Sequence, residues 1–219
     1  MSSQNITRND RDILKGVQLA NKKYTSFLTQ NGFKTISSSH IGVSFEKKIN
    51  SYTVNILLNT MGKYYETTTL LTLTISHSLN ANIIIAKSIP PLLRIGLTHI
   101  NSNIEGIKTY THDAKWGNSI IRNTKMIQFC KNFNRYTSFQ ILPGELVFKE
   151  PVFKEDESAI LRLIDENIEH LEAIKQLKIL KQYHPTFLQK NITLISISIG
   201  VLVVVLIFGV LFFIYKTFT

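Results

Sequence analysis

The spacing of hydrophobic and polar positions changes along the chain, and the first half predicts one helix followed by strands. Between Asp10 and Asn31 apolar side chains recur every three or four residues, which indicates an amphipathic helix. From His40 to about Ile75 apolar and polar side chains alternate, which is typical of strands with one buried face. The connections between these strands are short, so we expect an antiparallel meander of three or four strands, and the continuous apolar run 83–86 is typical of a more central strand. The alternation places Phe45, Ile56 and Leu73 on the buried face and Thr72 on the exposed face.

The pattern between residues 90 and 149 mixes irregular segments with a helix and a second hairpin. Residues 90–106 are rich in Pro, Gly and Asn and predict an irregular crossover, with a further strand at 107–111. Asp113 suits the N-cap of a helix that continues to about Asn132, with Trp116, Ile120, Ile127 and Phe129 as candidate core residues. Segments 136–142 and 145–149 flank Pro143-Gly144, a pair suited to a tight turn, and predict a hairpin.

A narrow apolar stripe marks a last amphipathic helix, which we call the stalk helix, at residues 153–184. Its helical part is expected from about Glu155 to Tyr183, and its apolar side chains lie three or four positions apart: Leu161, Ile164, Ile168, Leu171, Ile174, Leu177 and Leu180. Acidic side chains occupy the first half and lysines the second, as the helix dipole favours. The stripe allows packing on the domain or self-association, and packing is favoured because the repeat covers only about three heptads.

The stretch 191–215 has no charged side chain, and 18 of its 25 residues are Ile, Leu, Val or Phe. A helix of this length is about 37 Å long and can cross a hydrocarbon core of about 30 Å. Lys190 and Lys216 flank the stretch, and Tyr215 has the position of an interfacial aromatic residue. The sequence therefore predicts one C-terminal transmembrane helix, which contacts the lipid bilayer.

Taken together, the patterns predict an α+β fold in which an antiparallel β-sheet is packed by helices on one face. We expect an α+β soluble domain at 1–152, the stalk helix at 153–184, a hinge at 185–190, the transmembrane helix at 191–215 and a short tail at 216–219. Ser196 and Gly200 have the small-xxx-small spacing that lets membrane helices approach closely, so the span and the stalk are both candidates for self-association or for binding a protein partner.

Charge is distributed unevenly over this chain of net charge +10. Counted along the sequence, residues 1–142 carry 17 Lys/Arg and 6 Asp/Glu, whereas 143–174 carry 3 and 9. A basic domain can attract nucleic acid or anionic lipid. Lysine outnumbers arginine 19 to 6, however, which is atypical of proteins that read nucleic acid through arginine forks, so we do not expect nucleic-acid binding.

The sequence contains no recognisable motif for a catalytic, cofactor-binding or metal site. The six histidines lack metal-ligand spacing, and neither a GxGxxG nor a Walker A motif occurs. His112, Asp113 and Cys130 could form an acid–base and nucleophile set. A helix cap explains Asp113 better, and an apolar helix face explains Cys130 better. We therefore expect no catalytic residues and no cofactor, and enzymatic activity is not the favoured interpretation.

Lysines near the predicted span suggest which side of the membrane the domain occupies. Lys175, Lys178, Lys181 and Lys190 precede the span closely and only Lys216 follows it, which favours a cytoplasmic N-terminal domain. The single cysteine agrees with a reducing compartment, whereas the Asn5 sequon would matter only in a secretory lumen. The function we predict is a C-terminally anchored single-pass membrane protein with a binding or scaffolding domain. The alternatives are a membrane-attached enzyme and a subunit of an envelope or secretion assembly, including a viral one.

Overall fold

A computed structural model describes residues 18–19, 22–39, 42–63, 66–152 and 157–186, and over these ranges the protein is α+β. Nine strands of one antiparallel sheet are present in the described ranges: β1 Lys34–Ser38, β2 Gly42–Ile49, β3 Tyr52–Lys63, β4 Glu66–Ser76, β5 Ile83–Ala86, β6 Thr98–Ile100, β7 Lys108–Thr111, β8 Ser138–Leu142 and β9 Glu145–Val152. Four α-helices are described there as well: α1 at 22–30, α2 Ala114–Ile121, α3 Thr124–Lys131 and α4 Ser158–Lys175. The expected fold class, α+β with an antiparallel sheet, is therefore confirmed.

The chain forms two compact units, and the sheet belongs to the first, which ends at Tyr183. The second unit includes the 3₁₀ helix Pro91–Arg94, which begins directly after Pro90. Two consecutive prolines suit this position, because proline has no backbone N–H and the first residues of a helix need none for its internal hydrogen bonds. The same lack of an N–H keeps both prolines out of a strand ladder.

The strand order is β1-β2-β3-β4-β9-β8-β5-β7-β6, so the meander and the second hairpin share one sheet. The predicted meander is correct for β2, β3 and β4, where Phe45 pairs with Ile56 and Ile56 with Leu73. The run 83–86 is an interior strand, as expected, and lies between β8 and β7. It is not the next strand of the meander, because β9 pairs with β4 and the β8–β9 hairpin separates β4 from β5. Strands β1 and β6 were not predicted, and they pair at opposite edges of the sheet.

One face of the sheet carries the core. Phe45, Ile56 and Leu73 are 1 %, 1 % and 0 % exposed, as the alternation predicted, and Thr72 on the opposite face is half-buried. Tyr24 and Leu28 of α1, Trp116 of α2 and several residues of α4 belong to the same apolar cluster. Helices and sheet therefore bury the main core, which removes the apolar face of each element from water. A second, smaller cluster contains Ile84, Ala86 and Ile89, because β5 is buried on both of its faces.

Two helices, not one, occupy the region after Asp113. The predicted continuous helix is interrupted at Arg122–Asn123, and Asn123 caps α3 by accepting hydrogen bonds from the backbone of Lys125 and Met126. Asparagine competes with the helix for backbone donors, which is why it ends one helix and starts another. A Cβ at Gly117 would lie 2.6 Å from a Thr111 side-chain carbon, so α2 approaches β7 more closely than any larger residue would allow.

The predicted stalk helix is described over Ser158–Lys175 and ends before the expected end at Tyr183. Its buried side chains are Ile160, Ile164, Asn167, Leu171 and Ile174. Four of these are apolar and belong to the core cluster of the domain, so over these residues the helix packs on the domain. Leu180, the last residue of the predicted stripe, is 51 % exposed because the helix has already ended.

Several predictions fall outside the described residues. They include the first turns of the N-terminal helix, most of the hinge at 185–190, the transmembrane stretch 191–215 and the tail. Within the ranges that the structure does describe, no helix is both long and apolar enough to span a bilayer.

Candidate functional site

Residues 176–183 follow α4, and hydrogen bonds fix them to the first unit; we call this segment the C-terminal strap. Asp113 supplies the central contact, because its Oδ2 accepts the backbone N–H of Leu180 at 2.8 Å and that of Lys181 at 2.9 Å. Its Oδ1 accepts the N–H of Lys115 at 3.0 Å and that of Trp116 at 3.2 Å. The predicted N-cap is confirmed, and the same carboxylate also holds the strap.

His112 and Asn80 add further hydrogen bonds to the strap. The Nε2 of His112 lies 2.8 Å from the carbonyl oxygen of Lys181, and its Nδ1 lies 3.1 Å from the backbone N of Asn82. Nε2–H donates to the strap, whereas Nδ1 lies 3.1 Å from both the backbone N and the carbonyl oxygen of Asn82, so its role as acceptor or donor depends on the tautomer. The amide of Asn80 donates to the carbonyl oxygen of Tyr183 at 3.3 Å, and the Tyr183 ring meets His112 edge-on at 5.5 Å.

The electrostatics of Asp113 suit a structural role. Burial alone would raise its pKa, but hydrogen bonds from the backbone of Trp116, Lys181, Leu180 and Lys115 outweigh burial, and the pKa lies below its ordinary value. With four donors on two oxygens, the carboxylate is satisfied and 2 % exposed. It is poorly placed to act as a general base, which needs a free lone pair toward a substrate.

Cys130 is likewise unsuited to act as a nucleophile. The residue is 0 % exposed on α3, and burial raises the pKa of its thiol to about 12. The thiolate is the reactive species, so at neutral pH this side chain behaves as a small apolar group. His112 and Asp113 bind the strap, and Cys130 fills the core; none of the three is available for the proposed chemistry.

A pair of carboxyl groups between β9 and α4 was not anticipated. Glu150 pairs in register with Leu71 and lines a cavity of about 230 Å³ together with Val152, Arg162 and Glu166. Burial and, second, the negative charge of Glu166 raise the pKa of Glu150 to about 7. The alternation of β9 contained the signal, since positions 146, 148, 150 and 152 share one face and three of them are apolar.

Two further cavities can accept a ligand or a partner side chain. The larger, about 570 Å³, lies beside α2, and its polar lining includes the amides of Asn101, Asn103 and Asn118, the imidazole of His99 and the guanidinium of Arg122. The smaller, about 200 Å³, lies between α3 and α4 and has mainly apolar walls. Lys125 of α3 and Glu169 of α4, which form an ion pair, also line it. Burial lowers the pKa of His170, which lines this smaller cavity and packs 4.6 Å from the Phe129 ring.

No metal centre is assembled in the described part of the chain, where no three His, Cys, Asp or Glu side chains come together as possible ligands. The open face of the sheet is a more extended surface. Asn55 and Leu57 of β3 are exposed there, and Thr74 and Val147 on the next strands are half-buried. Glu46 and Lys149 pair with Asn55 and Thr72 on this face, which therefore offers hydroxyl, amide, charged and small apolar groups for contact with another protein.

Comparison with known proteins adds a fold relationship. Neither a family model nor a curated protein matches the sequence. The fold is similar to the crystal structure of the mycobacterial trehalose monomycolate transport factor A, TtfA, with a TM-score of 0.52 and 11 % sequence identity. The match covers 74 % of this chain and 98 % of that one. At this identity the likeness concerns the fold alone.

Proposed function

We propose that this chain is a C-terminally anchored single-pass membrane protein whose α+β domain is a binding or scaffolding module. The observation that carries the proposal is the position of the C-terminal strap. Hydrogen bonds tie residues 180–183 to Asp113, His112 and Asn80, and the uncharged stretch begins eight residues after Tyr183. The folded domain therefore extends to Tyr183, and only a short segment separates it from the proposed anchor.

A binding role is supported by how the reactive groups are used. Of the three side chains considered for catalysis, Asp113 caps α2 and holds the strap, His112 binds the strap, and Cys130 is buried in the core. The polar cavity beside α2 and the open sheet face remain available for recognition. If the partner is another protein, the same proposal describes a subunit of an envelope or secretion assembly.

Membrane anchoring is tested by comparing the full chain with a chain that ends at Thr186. We expect the full chain to stay in the membrane pellet after alkaline carbonate extraction, because 18 large apolar side chains lie in its span. The shortened chain should be released and show mixed α and β circular dichroism, since it keeps every described element. Extraction of the full chain by carbonate would refute the anchor, and aggregation of the shortened chain would refute an independent domain.

Topology and partners need two further measurements. The proposed orientation places the domain in the cytoplasm, so protease added to intact cells should leave it uncut. Digestion from outside, or a glycan on Asn5, would reverse the orientation. Co-purification from mild detergent should recover a specific partner, and replacement of Leu57 by Asp on the open face should weaken that recovery if the sheet is the binding surface.

A further inference from the structure

We propose that one end of the domain docks on the anionic phospholipid headgroups of the bilayer that holds residues 191–215. This inference rests on the membrane anchor proposed above. It concerns the end of the sheet at which the turns 50–51 and 143–144 and the loop 77–82 lie, which we call the basic end. The occupant is the lipid surface itself, because the chain leaves the domain at this end.

Strand register places the C-terminal strap at the basic end. Ile49 pairs with Tyr52 around the first turn, and Ser76 pairs with Glu145 beside the second. Asn80, in the loop that follows β4, donates to the carbonyl oxygen of Tyr183. The hydroxyl of Tyr52 also accepts a hydrogen bond from Lys175 at 2.8 Å, so the end of α4 and the strap both lie at this end of the sheet.

Exposed lysines collect on the basic end. Lys48 lies in β2 next to the first turn, Lys115 lies in the first turn of α2 beside Asp113, and Lys178 and Lys181 lie on the strap. All four side chains are exposed, and none of the four forms a salt bridge with another described residue.

Few acidic groups offset these charges. Glu145 is exposed at the start of β9, and Glu172 is engaged by Tyr52 and Lys175. Asp113 is buried under its four backbone donors. The free charge at the basic end is therefore positive, which is complementary to the negative surface of a membrane rich in anionic lipid.

Chain length keeps this surface close to the bilayer. Eight backbone steps separate Tyr183 from Asn191, which allows at most about 28 Å. A tether of this length gives a high effective concentration, so even weak attraction is sufficient for docking. Leu180, 51 % exposed between Lys178 and Lys181, can enter the headgroup region while the two lysines meet phosphate.

Docking is measured by energy transfer from a dye on the domain to headgroup-labelled lipid in nanodiscs that hold the full chain. The dye is attached at Ser51→Cys in the exposed turn of the basic end, and buried Cys130 does not compete for it. Ser38→Cys, which pairs with Val43 about 20 Å along β2 from the turn, provides the distant reference. We expect transfer from position 51 to be greater in phosphatidylcholine mixed with phosphatidylserine than in phosphatidylcholine alone, and to exceed the change at position 38.

Lysine substitutions and high salt then test whether electrostatic attraction causes the docking. Each lysine near an anionic surface strengthens binding about fivefold, so Lys178→Gln with Lys181→Gln should lower the ratio of docked to undocked domain about 25-fold. Lys22→Gln with Lys108→Gln removes the same charge from exposed positions away from the basic end and should leave the ratio unchanged. High salt should abolish the difference between the two lipid compositions, because the Debye length falls to about 3 Å at 1 M.

The outcomes separate this inference from the proposed function. Equal transfer from position 51 in neutral and anionic nanodiscs, or equal effects of the two lysine pairs, would overturn docking while leaving the anchor intact. Failure of the full chain to insert into nanodiscs of either composition would overturn the anchor itself, and docking with it.

Discussion

Replacement of Asp113 by alanine tests the contact that holds the strap to the domain. The side chain accepts four backbone N–H groups, two at the start of α2 and two from Leu180 and Lys181. Alanine removes all four acceptor contacts, and we expect the sheet, whose backbone makes none of them, to keep its fold. We expect the strap to detach locally and the domain to lose stability.

The magnitude follows from the two halves of the contact. Loss of an N-cap reduces stability by about 1 kcal/mol. A hydrogen bond to a charged group contributes about 1.5 to 3 kcal/mol net of exchange with water, and solvent screening at the exposed strap lowers this to about 1 kcal/mol for each bond. Two such bonds therefore add about 2 kcal/mol, for a total of about 3 kcal/mol. Against a typical domain stability of about 5 to 15 kcal/mol, this loss is large.

Asn123→Ala is the matched control, because Asn123 caps α3 with two backbone N–H groups and does not contact the strap. It should reduce stability by about 1 kcal/mol. Urea unfolding of the full chain in detergent can be followed by the fluorescence of Trp116, the single tryptophan, which is buried 5.5 Å from the His112 ring. Hydrogen exchange should show faster exchange at Leu180 and Lys181 in Asp113→Ala and no change there in Asn123→Ala.

The pH dependence has a definite sign. Because the folded pKa of Asp113 is lowered, its contribution is present above the unfolded value of about 3.9 and disappears as pH falls through the folded value. The difference between wild type and Asp113→Ala should therefore shrink below about pH 4. Equal losses for Asp113→Ala and Asn123→Ala, with unchanged exchange in the strap, would refute the assignment.

Three further outcomes are expected. Glu150→Gln should stabilise the protein at pH 8 by about 1 to 2 kcal/mol after allowance for partial exposure, because the raised pKa of Glu150, about 7, makes wild-type stability fall between about pH 4 and 7. Urea unfolding of both proteins at pH 4 and 8 measures this gain, and an equal difference at the two pH values would contradict the raised pKa. Leu73→Ala should lose about 2 to 5 kcal/mol and Thr72→Ala about 0.5, and similar losses in urea unfolding would contradict the face assignment. Cys130 should react with a thiol reagent only after denaturation, and rapid labelling of the native protein would contradict its burial.

Local patterns in the sequence determined most of the elements. Alternation identified β2, β3 and β4 and their buried face, because a half-buried strand must place apolar groups at every second position. Asp113 was recognisable as an N-cap, and Pro143-Gly144 as the turn of the second hairpin, where Gly144 has a φ of +85°. The uncharged stretch 191–215 is also a property of the sequence alone.

Tertiary structure decided the features that depend on neighbours distant in the chain. β1 is fully exposed and therefore carries no alternation, and its pairing with β2 at the sheet edge had no local signal. Insertion of the β8–β9 hairpin between β4 and β5 joins residues about 70 positions apart, which no short-range pattern encodes. The same limit applies to Glu150, whose raised pKa comes from α4 packing over it.

The C-terminal strap shows most clearly which features the sequence determined and which the tertiary structure decided. The sequence placed Asp113 at a helix start but could not show that its second oxygen binds Leu180 and Lys181, 67 and 68 residues away. Nor could it show that α4 ends at Lys175, since the apolar stripe continues to Leu180. The stripe reflects the spacing of apolar groups, whereas the end of the helix depends on a competing set of hydrogen-bond acceptors that only the folded domain brings within reach.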